Sequence, residues 1–473
     1  MTEVPLTTTT TKGLHPGLTR RQISMMGLGG AIGAGLFVGS GQAIGLAGPA
    51  VIVSYLVAGT IVVLIMTMLA EMVAANPSSG AFSSYAQKAM GRSAGSAVGW
   101  LYWIQLVVVI AAEATGAAGI VAHRFPGLPE GAWVLVFVAA LTVVNLLGVR
   151  NYGRFEFWFA AIKVAAIILF LVVGVLAIVG LIPGAPAAGV GALVAHGGFA
   201  PTGIAGIAGA LLIVVFAFGG TEVVAIAAAE SDDPSRNIRR IVREVMVRIL
   251  IFYVGSIFVI VAVLPWNSAA VKAGPFSAVL DTLRIPGVSL VMDLIVIIAL
   301  LSAMNANIYG ASRMAFSLGE RGLAPLGLTR TSPAGVPQVA VLASVAFGFV
   351  TVILNWFWPE QVLPALLNVV GSTLLVIWTA TAVSQLILRR RADAAGVTLP
   401  MRMWAFPGLS ILTLVLLGAV IVLAMLDEAA RTQLLLTIGL TAVLVIGARL
   451  TRGLSRPGVL KDAAFEDDVL TRR

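Results

Sequence analysis

Apolar stretches of about 20 residues recur along the whole chain, each long enough to cross a hydrocarbon core of about 30 Å. Windows of about 19 residues place twelve of them, near 23–46, 49–73, 94–122, 132–149, 155–181, 200–229, 242–265, 286–318, 337–357, 361–388, 404–426 and 431–452. Only 11% of the 473 residues are charged, against about 25% in an ordinary soluble domain, so a water-facing surface could not be dressed. The stretches are long and unbroken rather than alternating over about ten residues, which selects helices over the strands of a barrel. The chain is read as an all-α polytopic membrane protein.

The positive charges set its orientation. With the N-terminus inside, 25 of the 30 Lys and Arg fall on the cytoplasmic side and four (Arg124, Lys272, Arg284, Arg431) outside, while Lys163 lies mid-span. That asymmetry places both termini in the cytoplasm, with tails 1–22 and 453–473. It also accounts for the net charge of +9 without nucleic acid. No cysteine is present, which excludes disulfides and thiolate metal sites, and His15, His123 and His196 lack metal-ligand spacing. The threonine-rich start does not read as a cleavable signal. The one extended charged loop, 230–248, reads as an amphipathic surface helix capped near Asp233 or Ser235.

Five ionisable residues fall within or at the edge of spans: Glu71, Glu113, Lys163, Glu222 and Asp293. An ionisable group in the bilayer core costs from about 2.5 kcal/mol upward. Glu71 and Asp293 lie near span ends, where an interfacial, structural role suffices. Glu113, Lys163 and Glu222 have apolar or small neighbours on both sides and must face protein or water. Two readings stand for them: a buried pair neutralising itself, Lys163 with a glutamate, or a proton relay, since burial draws such groups toward exchange near neutral pH.

Glycine marks two further positions. The run "MMGLGGAIGAGLFVGSGQAIGLAG" sets Gly33 and Gly35 in a membrane helix, and "VVFAFGGTEVV" sets Gly219 beside Gly220. Glycine costs a helix about 1 kcal/mol per residue against alanine, and backbone freed from helical geometry survives at membrane depth only where it lines a cavity. The breaks open two halves of five spans each, 23–181 and 200–388, followed by two further spans in 404–452. Corresponding breaks in two halves point to an inverted-repeat transporter with its site at the midplane. A broken helix presents unpaired N–H groups and a positive dipole end to an anion, while freed carbonyls accept from an ammonium. An amino acid zwitterion carries both groups.

In six pieces, "LTRRQISMMGLGGAIGAGLFVGSG", "NPSSGAFSSYAQKAMG", "FEFWFAAIKVAAII", "FAFGGTEVVAIAAAES", "NANIYGASRMAFSLGERGLAP" and "GVP" at 335–337, the chain resembles the amino acid permeases of the amino acid–polyamine–organocation superfamily across nearly all twelve spans. The resemblance implies a leucine-transporter-type fold, a 5+5 inverted repeat with discontinuous helices 1 and 6. It also implies proton-coupled import of an amino acid across a cell membrane, bacterial by the same likeness, by alternating access. By position it sets the substrate carboxylate on Ile32, Gly33, Ala34 and Gly35. The amino group and the aromatic gate fall to Phe216, Ala217, Phe218 and Gly219. Lys163 occupies the place where sodium-coupled cousins hold a cation, which makes it a proton-coupling group, and the family's span-six glutamate is Glu222. Glu113 sits where the family varies with specificity. Its surroundings look most like permeases for GABA and small neutral amino acids, although it could instead bind a cationic side chain such as that of lysine or arginine. An exchanger is the alternative within transport; the span-five lysine argues for symport. No Ser-His-Asp arrangement, HExxH or nucleotide loop speaks for an enzyme. The expected partners are an amino acid, the proton and the bilayer, with the proton gradient as driving force and no cofactor.

Overall fold

The structure is a computed structural model. It describes residues 32–77, 81–147, 152–182, 189–221, 234–284, 287–333 and 335–450, with backbone alone at 81, 152–155, 234–241, 244, 245 and 248. The tails, the first half of span one and Glu222 lie outside the described residues. Every regular element among those described is helical: α1 Ala34–Phe37, α2 Gly39–Ala47, α3 Val51–Ala75, α4 Ala81–Met90, α5 Arg92–Arg124, α6 Glu130–Leu147, α7 Tyr152–Ile178, α8 Ala192–Ala195, α9 Gly203–Ala217, α10 Pro234–Val263, α11 Ala269–Ala273, α12 Pro275–Thr282, α13 Val288–Glu320, α14 Gln338–Phe357, α15 Pro359–Ala394, α16 Gly408–Ala424 and α17 Glu428–Leu450, with 3-10 turns at Gly48–Ala50 and Leu326–Thr329.

Among the described residues, 8 helical segments are long and apolar enough to cross a membrane, and three shorter apolar helices, Gly203–Ala217, Ile249–Val263 and Gly408–Ala424, accompany them. The first long segment, Gly39–Ala75, contains the Gly48–Ala50 turn, where Gly48 takes φ +60° and Pro49 follows. Divided there, the segments give the twelve crossings that the apolar windows place.

Which helices touch follows the two halves. Span one packs on span six (α2 on α9), two on seven (α3 on α10), three on eight (α5 on α13) and four on nine (α6 on α14). Contact of spans one to four with their counterparts five spans later is consistent with a two-fold relation between five-span halves. Small residues permit the closest approaches, as lipid supplies no hydrophobic drive between helices. A Cβ on Gly371 of α15, for instance, would fall on the backbone of Leu212 in α9. The outer faces of α7, α16 and α17 expose Leu169, Val422 and Leu436, a surface suited to lipid tails.

One expectation changes on contact with the structure, and two buried acids gain partners. The charged stretch 230–248 is not a separate surface helix over its described part, because α10 runs unbroken from Pro234 to Val263. Proline is well placed at a helix start, and the next glycine, Gly255, is a full membrane depth further on. Glu71 is 2% exposed and Asp293 6% exposed, each covered by neighbouring protein. Each has a cation at hand. Arg124 Nε at the end of span three meets Asp293 Oδ2 at 2.6 Å, tying spans three and eight together at one end. Arg389 Nη1 meets Glu71 Oε2 at 3.1 Å.

Candidate functional site

Ile32 and Gly33 lead into α1, a single turn that gives way at Val38 to α2. Gly33 is extended, with φ −145° and ψ −147°, a conformation open to any residue. Its glycine is explained instead by what lies against it: a Cβ on Gly33 would coincide with Glu113 Oε1. The Ala34 N–H donates to both carboxylate oxygens of Glu113, each at 3.0 Å. Gly35 answers a different demand, since a Cβ there would fall on Cα of Ala217 at the end of α9. One glycine admits a carboxylate and the other lets the two interrupted helices meet. The carboxyl group resting on the expected substrate-carboxylate position is thus one of the protein's own, delivered from α5.

Span six breaks where the glycine pair predicts. Helix α9 ends at Ala217, and its last turn tightens into i to i+3 bonds, Phe218 N to Val215 O at 3.2 Å and Gly219 N to Phe216 O at 2.8 Å. Gly220 then takes φ +89°, the left-handed region where a side chain is strained. Of the two aromatic residues at the break, Phe218 is fully buried in a trio: it stacks on Tyr253 of α10 with centroids 5.0 Å apart and meets Tyr55 of α3 edge-on at 6.0 Å. Phe216, 4% exposed, makes no ring contact among the described residues.

Sequence reasoning passed over Gln105. It is 2% exposed on α5, its Nε2 lies 3.9 Å from where a Gly219 Cβ would stand, and its Oε1 is buried with no hydrogen-bond partner. Buried amide oxygens are nearly always paired, so this acceptor beside the span-six break stands out. The signal was a glutamine in "WIQLVVV" within a span, overlooked because it carries no charge.

The buried charges converge from two helices. Lys163, at the middle of α7, is 1% exposed. Glu156 on its own helix and Glu113 on α5 are near enough to act on it electrostatically. Glu156 was the second omission. It is 3% exposed, accepts a hydrogen bond from Ser302 Oγ at 3.0 Å, and its Oε1 has no hydrogen-bond partner. Seven residues separate it from Lys163, two helical turns on one face, a spacing visible in "EFWFAAIK". The site thus joins a broken backbone, a carboxylate at its first N–H, and a lysine flanked by two acids.

A second ionic cluster lies apart from the breaks. Both oxygens of Glu71 are satisfied: Oε1 accepts from Gln385 Nε2 at 3.0 Å, and Oε2 accepts from Arg389 Nη1 at 3.1 Å and from the Met403 N–H at 2.5 Å. Arg389 also turns its Nε to Asp393, at 3.0 Å from both oxygens. Ser410 Oγ donates to Gln385 Oε1 at 2.8 Å.

Comparison with known proteins gives the same direction as the geometry. The model of the family described as "Amino acid permease" matches residues 22–459. The chain is 45% identical over 430 residues to a probable GABA permease of Pseudomonas aeruginosa, covering 90% of each chain. It is 48% identical over 429 residues to an aromatic amino acid transport protein of Corynebacterium glutamicum, covering 89% of this chain and 92% of the other. A gamma-aminobutyric acid permease of Escherichia coli is 44% identical over 434 residues, covering 92% and 93%.

Proposed function

From its membership of the amino acid permease family, which makes the chain a multi-pass amino acid transporter, we propose that it imports GABA or a small neutral amino acid together with a proton. It would do so by alternating access across a cell membrane with both termini inside, and with halves 23–181 and 200–388 as the moving repeats. The observation that carries the reading is the Ala34 N–H held by the Glu113 carboxylate.

One backbone N–H cannot serve two carboxylates in the same place. Charge-assisted hydrogen bonds of this kind contribute about 1.5–3 kcal/mol, so a substrate carboxylate arriving at Ile32–Gly35 must displace Glu113 or find it neutralised. A proton on Glu113 does the second, and Lys163 is the buried base with which that proton is shared. Substrate and proton then enter as a pair, because the site accepts the anion only when a proton has discharged Glu113. Backbone carbonyls at Phe216–Gly219, with Gln105 Oε1 beside them, supply acceptors for the ammonium group, and Phe216 closes over it. Glu222 remains a second candidate for the proton.

A lysine or arginine importer is the alternative, with Glu113 turned to a cationic side chain. Relatives named for GABA and for aromatic amino acids support uncharged side chains, with tolerance for rings as the second reading. Uptake into proteoliposomes, acidic outside, with all common amino acids and GABA as competitors tests it. GABA or small neutral residues should compete at least tenfold better than lysine and arginine, and collapsing the pH gradient should remove accumulation. Dominant competition by lysine, or accumulation without a gradient, overturns it.

A further inference from the structure

Resting on the proton-coupled reading above, we infer that Glu156 is a second acid of the coupling machinery, exchanging the proton with Lys163 and releasing it at the inner end of span five. Its placement carries the inference. Glu156 lies two turns below Lys163 on the same face of α7, about 10 Å nearer the start of the helix at 1.5 Å per residue. It is buried to 3% exposure in a segment otherwise built from Phe, Trp, Ala and Ile. One oxygen accepts from Ser302 Oγ on α13 at 3.0 Å, and the other, Oε1, is buried with no hydrogen-bond partner among the described residues. A carboxylate kept only to neutralise a lysine is stabilised by filling both oxygens, as Glu71 does. One left with an empty acceptor position is poised to take a proton there.

Charge balance points the same way. Glu113, Glu156 and Lys163 together carry one net negative charge when all are ionised, and burying it unbalanced is costly. One added proton makes the trio neutral, whichever acid holds it. Transfer from the Lys163 ammonium breaks an N–H bond and forms O–H on Glu156, leaving a neutral amine and a neutral acid. Glu156 then releases the proton to water at the inner end and returns to a carboxylate, while Lys163 takes the next proton from Glu113. Among the described residues α13 and α10 make the main contacts with α7, Phe276 of α12, whose titratable residue is Asp281, packs on Phe170 at 4.6 Å, and α5 brings Glu113. On α13 the described titratable groups are Asp293, paired with Arg124, Tyr309, Arg313 over the Tyr309 ring, and Glu320; on α10 they are Arg243, exposed, and Tyr253, in the aromatic trio.

The test is the number of protons moved per substrate, read in proteoliposomes from an internal pH dye and labelled substrate together. Wild-type protein should acidify the interior as substrate enters; if it moves none, the coupling reading itself fails, before any variant is made. Given that, Glu156→Gln should lower the proton-to-substrate ratio at least twofold, and Glu156→Asp should restore it. An unchanged ratio in Glu156→Gln, even with slower uptake, overturns the inference. If Glu156→Gln does not fold, Ser302→Ala carries the test. Removing the hydroxyl from Glu156 should move the pH midpoint of uptake by half a unit or more, and an unmoved midpoint with unchanged ratio overturns the inference equally.

Discussion

The molecule buries charge twice, and the two clusters are built on opposite plans. Around Glu71, three groups donate to two oxygens, and Arg389 sits between Glu71 and Asp393. That cluster joins span two to span ten and to the segment leading into span eleven. Around Lys163, Glu113 is held by a single backbone N–H, and Glu156 by a single hydroxyl with one oxygen left empty. Burial is the same in both, at 1–3% exposure for Glu71, Glu113, Glu156 and Lys163. Saturation differs. A fully satisfied carboxylate is held in one arrangement, whereas one with an acceptor position open among the described residues can take a further hydrogen bond there.

The contrast is open to a direct break. Lys163→Ala should abolish uptake driven by a pH gradient, a fall of about a hundredfold or more, while the melting temperature changes little. Removing the lysine leaves two acids that neutralise by protonation rather than standing as buried charges. Gradient-driven uptake at wild-type level would remove Lys163 from coupling and make the two clusters equivalent. Arg389→Ala should do the reverse. It strands Glu71 in a buried, previously saturated site, a loss of about 3–5 kcal/mol when one partner of a buried pair is removed, read as a lower melting temperature in detergent. Protein that still folds should keep its proton-to-substrate ratio. A ratio that collapses with Arg389→Ala would show that the Glu71 cluster also carries protons.

Much of this was legible because the membrane forbids so much. Twelve crossings followed from apolar length alone, and the interruption at Gly219 and Gly220 followed from glycine where backbone bonds have no water to fall back on. Lys163 was legible as a charge with nowhere to snorkel. The reason for the first glycines was not. Gly33 and Gly35 were read as backbone made free for a ligand, and each also makes room, for the Glu113 carboxylate and for the Ala217 backbone. No local pattern reports that Ala34 meets Glu113, 79 residues on. Glu156 was missed although its spacing from Lys163 is helical. Burial near a span end depends on what covers it, as α15 and the Met403 segment cover Glu71, and that is a tertiary fact.

The smallest effect sharpens the comparison from its middle. Arg124 and Asp293 form a third ion pair at 2.6 Å, but the arginine side chain is 32% exposed against 9% for the aspartate. Water reaches one partner, so the pair is screened as a surface pair is, and such pairs contribute about 0–1 kcal/mol. Asp293→Asn keeps the shape and an acceptor for Arg124 while removing the charge. It should lower the melting temperature far less than Arg389→Ala and leave both uptake and the proton ratio within twofold of wild type. A loss as large as that of Arg389→Ala would mean that burial of the acid alone sets the cost of breaking a pair, and saturation would no longer separate the structural cluster from the functional one.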